Sequence, residues 1–335
     1  MPLKIAINGF GRIGRLTYRA ILESKDKNID VVCINDLGPP DANAHLLKYD
    51  TIHGILPNEV EADNNNIIID GNPIKVTAIK NPSELPWKKL QVDIVLECTG
   101  LFASRKAASA HLDAGSKKVL ISAPATDADI TIVYGVNHHK LEHDHQIVSN
   151  ASCTTNCLAP IAHVLNEAFG IERGFMTTIH SFTGDQRTVD TLHGDLHRAR
   201  SASVSMIPTS TGAARAVGLV LPELAGKLDG TSIRVPTPNV SVIDFKFVPT
   251  KKTDVESVNN AIEEASQGFL KGVLATNDKP LVSVDFNHNS HSSIFDLTET
   301  QVIESQFVRV LSWYDNEWGF SNRMVDTANT MSSFI

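Results

Sequence analysis

Apolar and polar residues alternate along the first 150 residues as short strand-like runs separated by helix-compatible stretches. Residues 4–8 (KIAIN) and residues 29–34 are apolar runs of the kind that forms buried parallel strands. Similar runs predict further strands at residues 67–69, 92–96, 118–122 and 130–134. This order predicts an α/β domain built on a doubly wound sheet.

Three glycines connect the first predicted strand to a helix. Gly9, Gly11 and Gly14 form the pattern GxGxxG, and Leu16 and Ala20 then follow at helical spacing. In such a turn, backbone N–H groups approach a pyrophosphate, and the helix N-terminus supplies roughly half a unit of positive charge. A lone glycine motif is often only a turn, but this strand–turn–helix context predicts a Rossmann-type dinucleotide-binding domain.

A carboxylate follows the second predicted strand. Asp36 comes 22 residues after Gly14, a spacing typical of the acid that binds a ribose. Its side chain accepts hydrogen bonds from a 2′-hydroxyl and repels a 2′-phosphate, so we expect NAD rather than NADP as the cofactor. The carboxyl ends of later strands predict further cofactor neighbours, with ordinary loop positions as the alternative: Thr99, Gly100, Ser122 and Ala123.

A cysteine in the middle of the chain is the candidate nucleophile. Residues 149–160 read SNASCTTNCLAP and lead into helical spacing, which places Cys153 near a helix N-terminus. That position and a neighbouring imidazolium both lower the pKa of a thiol. Pro160 predicts that this helix is kinked or starts later. The alternative for such a cysteine is a quiet core residue.

A histidine downstream is the candidate base. Residues 175–182 (FMTTIHSF) predict a strand with Met176, Thr178, His180 and Phe182 on one face. His180 is a candidate partner of Cys153 across a cleft, and a core histidine bonded to backbone is the alternative. Sequence alone does not place the two residues together.

Groups suited to phosphate follow the histidine. Residues 183–206 contain several arginines without periodicity, which predicts a long functional loop. Residues 209–212 (TSTG) then precede a helix-like stretch, and Arg234 follows a predicted turn at Asp229 and Gly230. Hydroxyls, a helix N-terminus and an arginine are what phosphate oxygens need, although each alone also fits a helix cap or a solvated side chain.

Composition restricts the function classes. With 335 residues, the chain is long enough for two domains, and its net charge of −8 argues against nucleic-acid or anionic-membrane binding over the whole surface. No apolar run approaches the roughly 20 residues of a membrane span, and no charged-then-apolar leader begins the chain, so we expect a cytoplasmic protein.

Cysteine usage points to reduced thiols. Cys33, Cys98, Cys153 and Cys157 are too few for a disulfide framework in a chain of this size. The pair Cys153 and Cys157 resembles half of a metal site, but no second close pair or suitably spaced histidine pair accompanies it. We therefore expect no metal.

Five segments, in order NGFGRIGR, SCTTNCLAP, HSFTGDQ, TSTGAA and WYDNEWG, resemble the phosphorylating glyceraldehyde-3-phosphate dehydrogenases along almost the whole chain. The resemblance implies that D-glyceraldehyde 3-phosphate, phosphate and NAD are converted to 1,3-bisphosphoglycerate and NADH. It further implies that Cys153 forms a hemithioacetal and then a thioester, with His180 activating the thiol.

The same resemblance assigns binding residues position by position. It implies cofactor contacts at Gly9, Gly11, Arg12, Ile13, Gly14, Asp36, Lys80, Ser122 and Asn316. It implies a site for the substrate phosphate at Thr183 and Arg234. It implies a site for the attacking phosphate, with Arg198 close by, at Ser152, Thr154, Thr211 and Gly212.

Domain organisation and assembly also follow from the resemblance. It implies a discontinuous dinucleotide-binding domain, residues 1–150 with 317–335, in which the final helix near 321–331 packs back on the cofactor domain. The intervening catalytic domain, residues 151–316, is expected to be α+β with a mostly antiparallel sheet. Family members are homotetramers, so a homotetramer is expected here.

One position departs from the family. NAD-specific members tend to carry a Leu-Pro pair in the long loop, where this chain has Thr191 and Leu192. Neither Leu192 nor Leu37, beside Asp36, offers a hydroxyl to a 2′-phosphate, so NAD remains favoured.

Three other functions compete with this interpretation. A related dehydrogenase acting on erythrose 4-phosphate shares the fold and cysteine chemistry. A catalytically silent NAD-binding protein would use the same scaffold. A cysteine hydrolase would not need the dinucleotide fingerprint.

Overall fold

A computed structural model of the protein describes residues 2–24 and 28–335. The chain divides into two units, the first comprising residues up to Ile132, His138–Ala151 and Ser321–Ile335, and the second Val133–Asn137 and Ser152–Phe320. The predicted domains, 1–150 with 317–335 and 151–316, differ from these units at residues 133–137, 151 and 317–320. Residues 1 and 25–27 of the predicted first domain lie outside the described residues.

The first unit is built on a mostly parallel sheet. The strands of this unit are β1 (Leu3–Asn8), β2 (Ile29–Asn35), β3 (Tyr49–Asp50), β4 (Gly54–Ile55), β5 (Val60–Ala62), β6 (Asn66–Ile69), β7 (Asn72–Thr77), β8 (Ile94–Glu97), β9 (Lys118–Ile121), β10 (Ile130–Thr131) and β11 (Ile147–Ser149). Of these, β3 and β4 pair with each other in a separate two-stranded sheet. Its first helices are α1 (Arg12–Glu23), α2 (Pro40–Lys48), α3 (Trp87–Leu90) and α4 (Arg105–Asp113).

The strand order of this sheet determines where a ligand binds. Neighbouring strands run β10-β11-β9-β8-β1-β2-β7-β6-β5, parallel from β10 to β7 and antiparallel at the β7-β6-β5 edge. The chain leaves β1 toward β2 on one side and returns to β8 on the other. Such a reversal opens a crevice beyond the carboxyl ends of the strands, where ligands bind in doubly wound sheets.

Apolar side chains from helices cover the sheet. Trp87, which begins α3, is fully buried against Ala6, Cys33 and Val95 of β1, β2 and β8. Burial on both faces explains why β8 and β9 are continuous apolar runs without alternation. The strand predicted at residues 130–134 is shorter than expected, because β10 ends at Thr131.

The second unit is α+β. Its helices are α5 (Cys153–Phe169), α6 (Ala213–Val220) and α7 (Val255–Gln267). Its strands are β12 (Ile171–Ser181), β13 (Ile207–Ser210), β14 (Leu228–Val235), β15 (Ser241–Pro249), β16 (Leu274–Asn277), β17 (Ser293–Asp296), β18 (Gln301–Ile303) and β19 (Phe307–Tyr314). A final helix, α8 (Trp318–Ser332), begins in this unit and continues into the first.

The sheet of the second unit is mostly antiparallel. Its order is β13-β14-β12-β15-β19-β17-β16, with β18 paired to β19, and only the β14-β12 and β17-β16 pairs are parallel among the described residues. The predicted fold class, a Rossmann-type domain with an α+β partner, is confirmed. No helix among the residues that the structure describes combines the length and apolar character needed to cross a bilayer.

Two local expectations about the second unit were wrong. The turn predicted at Asp229 and Gly230 is absent, because both residues lie inside β14. Gly230 is needed there because a Cβ atom would come within 2.5 Å of the Met176 carbonyl oxygen on the neighbouring strand. The later helix start considered for Pro160 is also wrong, since α5 begins at Cys153 and continues through the proline.

Candidate active site

A pocket of about 510 Å³ lies beyond the carboxyl ends of β1, β2 and β8 in the first unit. These strand ends contribute most of its lining, as their reversal of order predicts. The lining residues are Asn8, Gly9, Gly11, Asn35, Asp36, Leu37, Ile79, Lys80, Cys98, Thr99, Leu101 and Phe102.

The three glycines of the GxGxxG pattern differ in the space that the structure leaves for a side chain. Gly9 has a φ of +89°, and a Cβ atom there would come within 2.7 Å of Thr99. A Cβ on Gly14 would come within 2.1 Å of the Gly9 carbonyl oxygen, so glycine permits this close approach. Gly11 has open space at that position and precedes α1 without a side-chain cap. The arrangement fits a pyrophosphate approaching the backbone of the turn.

Asp36 is fixed at the edge of this pocket by backbone donors. Its carboxylate accepts hydrogen bonds from the Phe10 N–H and the Gly38 N–H, each at 2.8 Å. The carboxylate therefore points toward the glycine turn, and it retains acceptor capacity for a ribose hydroxyl. This geometry fits the ribose of a dinucleotide.

The other predicted cofactor residues differ in position. Lys80 is exposed and lines the pocket. Arg12 forms an ion pair with Asp50, which accepts further hydrogen bonds from backbone N–H groups. Ile13 is half-buried in the first turn of α1, and Ser122, which directly follows β9, donates its N–H to the backbone carbonyl oxygen of Glu97 at 3.0 Å.

The candidate nucleophile is the first residue of helix α5 in the second unit. Ser152 caps the helix, with its hydroxyl accepting a hydrogen bond from the Thr155 N–H at 3.0 Å. Cys153 is half-buried, and its Sγ lies 3.5 Å from Nε2 of His180. The structure thus brings together the two residues that sequence alone could not pair.

His180 is held by β12 and by the next strand. Of the predicted face, Met176, Thr178 and His180 are buried on β12, whereas Phe182 lies after the end of the strand. The β12–β14 register places His180 opposite Arg234. Nδ1 of His180 lies 2.7 Å from the Ser181 carbonyl oxygen and 2.7 Å from Nη1 of Arg234. A carbonyl only accepts and a guanidinium only donates, so Nδ1 satisfies one of them at a time.

This shared contact links the histidine tautomer to the state of the cysteine. With its proton on Nδ1, the ring donates to Ser181, and Nε2 is an acceptor for the Cys153 thiol proton. With its proton on Nε2, the ring accepts from Arg234 and donates to a thiolate. His180 therefore has a hydrogen-bonding arrangement for each protonation state of Cys153.

Burial dominates the electrostatics of the pair. It raises the pKa of Cys153, and the Arg234 charge and hydrogen bonds to Thr154 oppose the increase. The prediction of a lowered pKa for Cys153 is therefore wrong, because the argument from the helix N-terminus and the histidine left out the desolvation of the thiol. Burial, followed by the Arg234 charge, lowers the pKa of His180. Transfer of a proton from sulfur to imidazole leaves the pair neutral overall.

Arg234 has a buried donor that the described residues leave without a hydrogen bond. Its Nη1 donates to the Ser181 carbonyl at 3.0 Å, whereas Nε is buried and has no partner in residues 2–24 and 28–335. A buried guanidinium donor without an acceptor is unfavourable, and a phosphate oxygen would satisfy it.

The first turns of two helices meet beside Cys153. Thr155 Oγ1 donates to the Ala213 carbonyl at 3.3 Å, which joins the start of α5 to the start of α6. Gly212 precedes α6 without a side-chain cap, and the Thr211 hydroxyl accepts from the Ala213 N–H at 3.2 Å. The predicted helix after residues 209–212 is confirmed, and its N-terminus faces the start of α5.

Arg198 lies in the long segment that has no helix or strand from residue 182 to 206, as predicted. It donates to the Thr209 hydroxyl at 2.7 Å and to Asp185 at 2.7 Å. Its charge is close enough to lower the pKa of Arg234, after the larger effect of burial. Thr183 donates both its N–H and its hydroxyl to Gln186, at 2.9 and 3.2 Å.

Asn316 is buried and oriented by two hydroxyls. Its Oδ1 accepts hydrogen bonds from Ser181 at 2.9 Å and Ser241 at 2.8 Å. The amide NH₂ group is therefore turned away from these serines. Sequence reasoning missed both, because they lie far from Asn316 in the chain.

A tyrosine behind the histidine was also missed. The Tyr314 hydroxyl lies 2.9 Å from the hydroxyls of Thr154 and Thr178, and its ring packs edge-on against His180. Thr154, predicted as a phosphate ligand, is thus bonded to Tyr314 in this structure. The available sequence signal was the alternation of β19, which places Tyr314 on the buried face.

Cys157 lies one turn after Cys153 on α5. It is completely buried, and its Sγ lies 3.5 Å from the Ser293 hydroxyl and 3.8 Å from the Ser312 carbonyl oxygen. Its surroundings are those of a core thiol, which distinguishes it from the half-buried Cys153.

Comparison with known proteins identifies relatives along the whole chain. Residues 3–105 match the family model described as glyceraldehyde 3-phosphate dehydrogenase, NAD binding domain, and residues 152–316 match its C-terminal domain. The chain is 66% identical to the glyceraldehyde-3-phosphate dehydrogenase of Xanthobacter flavus over 331 residues, 99% of each protein. It is 61% identical to that of Cereibacter sphaeroides and 60% identical to that of Zymomonas mobilis, over the full length of both.

Proposed function

Because the chain belongs to the glyceraldehyde 3-phosphate dehydrogenase family, we propose that it converts D-glyceraldehyde 3-phosphate, inorganic phosphate and NAD to 1,3-bisphosphoglycerate and NADH. The observation that carries this proposal is the approach of Cys153 Sγ to His180 Nε2, 3.5 Å apart at a helix N-terminus. We further propose that the first unit is the cofactor domain and the second the catalytic domain.

In this proposal Cys153 is the nucleophile and His180 the base. The thiol proton moves to Nε2 of His180 while sulfur attacks the aldehyde carbon, and His180 then passes this proton to the former carbonyl oxygen, giving a hemithioacetal on Cys153. Backbone N–H groups at the start of α5 stabilise the negative charge on sulfur. His180 then takes the hydroxyl proton of the hemithioacetal as it is oxidised to a thioester, for which bound NAD supplies the hydride acceptor.

Phosphate recognition completes the reaction. We assign the substrate phosphate to Thr183 and Arg234, because the Nε donor of Arg234 lacks a partner among the described residues. We assign the attacking phosphate to Ser152, Thr154, Thr211 and Gly212, with Arg198 nearby, because two helix N-termini meet there. An oxygen of this phosphate attacks the thioester carbon, the Cys153 thiolate leaves, and it regains the proton held by His180.

The cofactor pocket supports NAD. The glycine turn permits close approach of a pyrophosphate, and the Asp36 carboxylate favours a ribose with a free 2′-hydroxyl. We assign the remaining contacts to Gly9, Gly11, Arg12, Ile13, Gly14, Lys80 and Ser122, with Asn316 donating its amide hydrogens to the nicotinamide.

A spectrophotometric assay tests the proposal. Protein, NAD and glyceraldehyde 3-phosphate should produce NADH continuously only when inorganic phosphate is present, because hydrolysis would otherwise limit release of the thioester. Parallel reactions with NADP and with erythrose 4-phosphate should be slower. Steady turnover without phosphate would contradict the mechanism, and faster turnover of erythrose 4-phosphate would reassign the substrate.

We also propose a homotetramer in a cytoplasmic setting. The long loop exposes Val189, Leu192, Leu196, Val204 and Met206, an apolar set that another subunit would cover. All four cysteines are free thiols, which fits a reducing compartment. Light scattering coupled to size-exclusion chromatography should give four times the mass of one chain.

A further inference from the structure

Five side chains form a continuous buried hydrogen-bond chain beneath the cofactor pocket of the first unit. They lie on or beside the strands whose carboxyl ends form the pocket, and each is no more than 5% exposed. This Glu97 network consists of Asn35, Asn8, Glu97, His111 and Trp87. None of these side chains takes part in the reaction proposed above.

One end of the network is oriented by backbone. Asn35 donates its amide to the Ile79 carbonyl and accepts from the Ile79 N–H, both at 2.9 Å. A backbone N–H only donates and a carbonyl only accepts, so the Asn35 amide has one allowed orientation. Its NH₂ group therefore donates to Oδ1 of Asn8 at 2.7 Å. Asn8 must in turn donate its own NH₂ to Oε2 of Glu97, at 2.6 Å.

The other end is oriented by an indole. Trp87 Nε1, which only donates, lies 3.1 Å from Nδ1 of His111. Nδ1 must therefore be the acceptor, and the ring is neutral with its proton on Nε2. That nitrogen lies 3.0 Å from Oε2 of Glu97 and donates to it.

Both carboxylate oxygens of Glu97 consequently accept hydrogen bonds. Oε2 accepts from Asn8 and His111, while Oε1 accepts from the Thr99 N–H at 2.8 Å and from the Thr99 hydroxyl. A proton on Oε2 would oppose Asn8 or His111, both of which are obliged to donate. No lysine or arginine in the described part of the chain forms an ion pair with Glu97.

The network determines the shape of the pocket wall. Thr99, held by Glu97, in turn accepts the Leu101 N–H on its hydroxyl at 3.0 Å. It also lies directly against Gly9, where even a Cβ atom would not fit. The His111 ring packs edge-on against Phe102. Thr99, Leu101, Gly9 and Phe102 all line the pocket.

We propose that Glu97 is a positioning residue of the cofactor site: its carboxylate fixes the 97–101 segment against the glycine turn, so that the pocket is preformed for the ADP-ribose half of NAD. This inference rests on the proposed function, because it takes the pocket to be the NAD site. Glu97 touches no reacting atom, and its contribution belongs to binding rather than to the chemical step.

The test uses Glu97→Gln in the full-length protein. Glutamine keeps the shape, and its oxygen must face Asn8 and His111, because both donate. Its NH₂ group then opposes the Thr99 N–H, so the 97–101 segment loses a bond and gains a repulsion. We expect ADP-ribose to bind about tenfold to a hundredfold more weakly by calorimetry, the range for an unpaired buried donor. KM for NAD should rise by a similar factor, while kcat changes less than threefold.

Two further variants keep the test decisive. Asp129→Asn is the matched control, because Asp129 also accepts backbone N–H groups in the same unit but does not line the pocket. It should leave ADP-ribose affinity unchanged. Thr99→Val retains the charge and the Thr99 N–H bond but loses the hydroxyl donor, so it should weaken ADP-ribose about threefold, and it decides the matter if Glu97→Gln does not fold.

Amide hydrogen exchange provides a readout independent of activity. In Glu97→Gln, the amides of residues 99–101 should exchange faster in the free protein than in wild type or Asp129→Asn. Folded Glu97→Gln that binds ADP-ribose within twofold of wild type would overturn the proposal, as would an equal loss in Asp129→Asn. Wild-type protein that fails to bind ADP-ribose would instead refute the cofactor assignment itself.

Discussion

The two buried polar clusters of this protein differ in whether the chain alone completes them. Around Glu97, each carboxylate oxygen has two donors, and both ends of the network have a fixed orientation. Around Cys153, Nδ1 of His180 faces two partners that it cannot satisfy together, and Nε of Arg234 has none among the described residues.

The Glu97 network therefore maintains the shape of a pocket, whereas the Cys153 cluster supports a reaction. A fully paired network resists rearrangement, because every change leaves a buried group unpaired. The cysteine cluster instead has two hydrogen-bonding arrangements and an unfilled donor, so it accommodates both a proton transfer and an incoming anion. The following predictions test this contrast, beginning with the largest expected effect.

Replacing the sulfur of Cys153 should abolish the reaction at the cysteine cluster. Cys153→Ser is expected to lower kcat/KM by about 10⁴-fold or more, since a serine hydroxyl is a far weaker nucleophile. Cys157→Ser, one helical turn away and fully buried, is the matched control and should remain active. Measurable oxidation by Cys153→Ser at more than one-hundredth of the wild-type rate would contradict the covalent mechanism.

Removing the His180 imidazole should reveal the increase in the pKa of the Cys153 thiol that burial causes. His180→Asn is expected to lower kcat by about 10²- to 10⁴-fold, the usual contribution of general acid–base catalysis. Burial raises the pKa of Cys153, so without a proton acceptor the thiolate forms only as the pH rises through that higher value. The pH profile of iodoacetamide alkylation should therefore move to higher pH. An unchanged profile would remove the base assignment, and His163→Asn on α5 serves as the control.

Replacing Arg234 should remove the one unpaired donor described in the Cys153 cluster and so weaken its binding of an anion. Arg234→Gln is expected to raise KM for glyceraldehyde 3-phosphate about tenfold to a hundredfold, the worth of hydrogen bonds to a charged group. Inorganic phosphate should raise the melting temperature of wild type more than that of this variant, because ligands that bind only the folded state stabilise it and the variant keeps only the site assigned to the attacking phosphate. Arg215→Gln removes an exposed ion pair with Asp229 and should leave KM unchanged. Equal effects of both variants would refute the anion site.

The smallest effect concerns the helix that carries Cys153. Ser152→Ala removes a side-chain cap and should lower the free energy of unfolding by about 1 kcal/mol. Asp254→Ala, which removes the equivalent cap of α7, should have a similar effect on urea denaturation. Only Ser152→Ala should also raise the KM for inorganic phosphate. A change of that KM in Asp254→Ala would show that cap loss acts through general destabilisation.

Local sequence was sufficient for much of the fold. The glycine turn, α1 and the position of Asp36 follow from adjacent residues, since a strand, a tight turn and a helix leave their pattern within a short stretch. The sequence also placed Cys153 near a helix N-terminus, but it left the exact start of α5 open because of Pro160, and the structure shows that Ser152 caps the helix. Residue type and spacing therefore predicted the local backbone structure in those parts of the chain.

Contacts between distant segments were not predictable in the same way. The register of β12 and β14, which places Arg234 beside His180, joins residues 54 positions apart. Gly230 looked like a turn residue, but its pairing with Met176 on the neighbouring strand β12 keeps it extended. Glu97 followed a predicted strand and could have been noticed there, yet its donors come from Asn8 and His111. Burial, which reverses the expected shift of the Cys153 pKa, is likewise a property of the assembled fold.

The final helix has a consequence for synthesis of the protein. Met324, Ala328 and Met331 of α8 are buried and belong to the first unit, and Thr327 bonds to Asn150 from 177 positions away. A ribosome must therefore synthesise the chain through α8 before the first unit has all its parts. Until then, the nascent chain exposes the hydrophobic surface that α8 will cover, and chaperones would protect it from aggregation during this period.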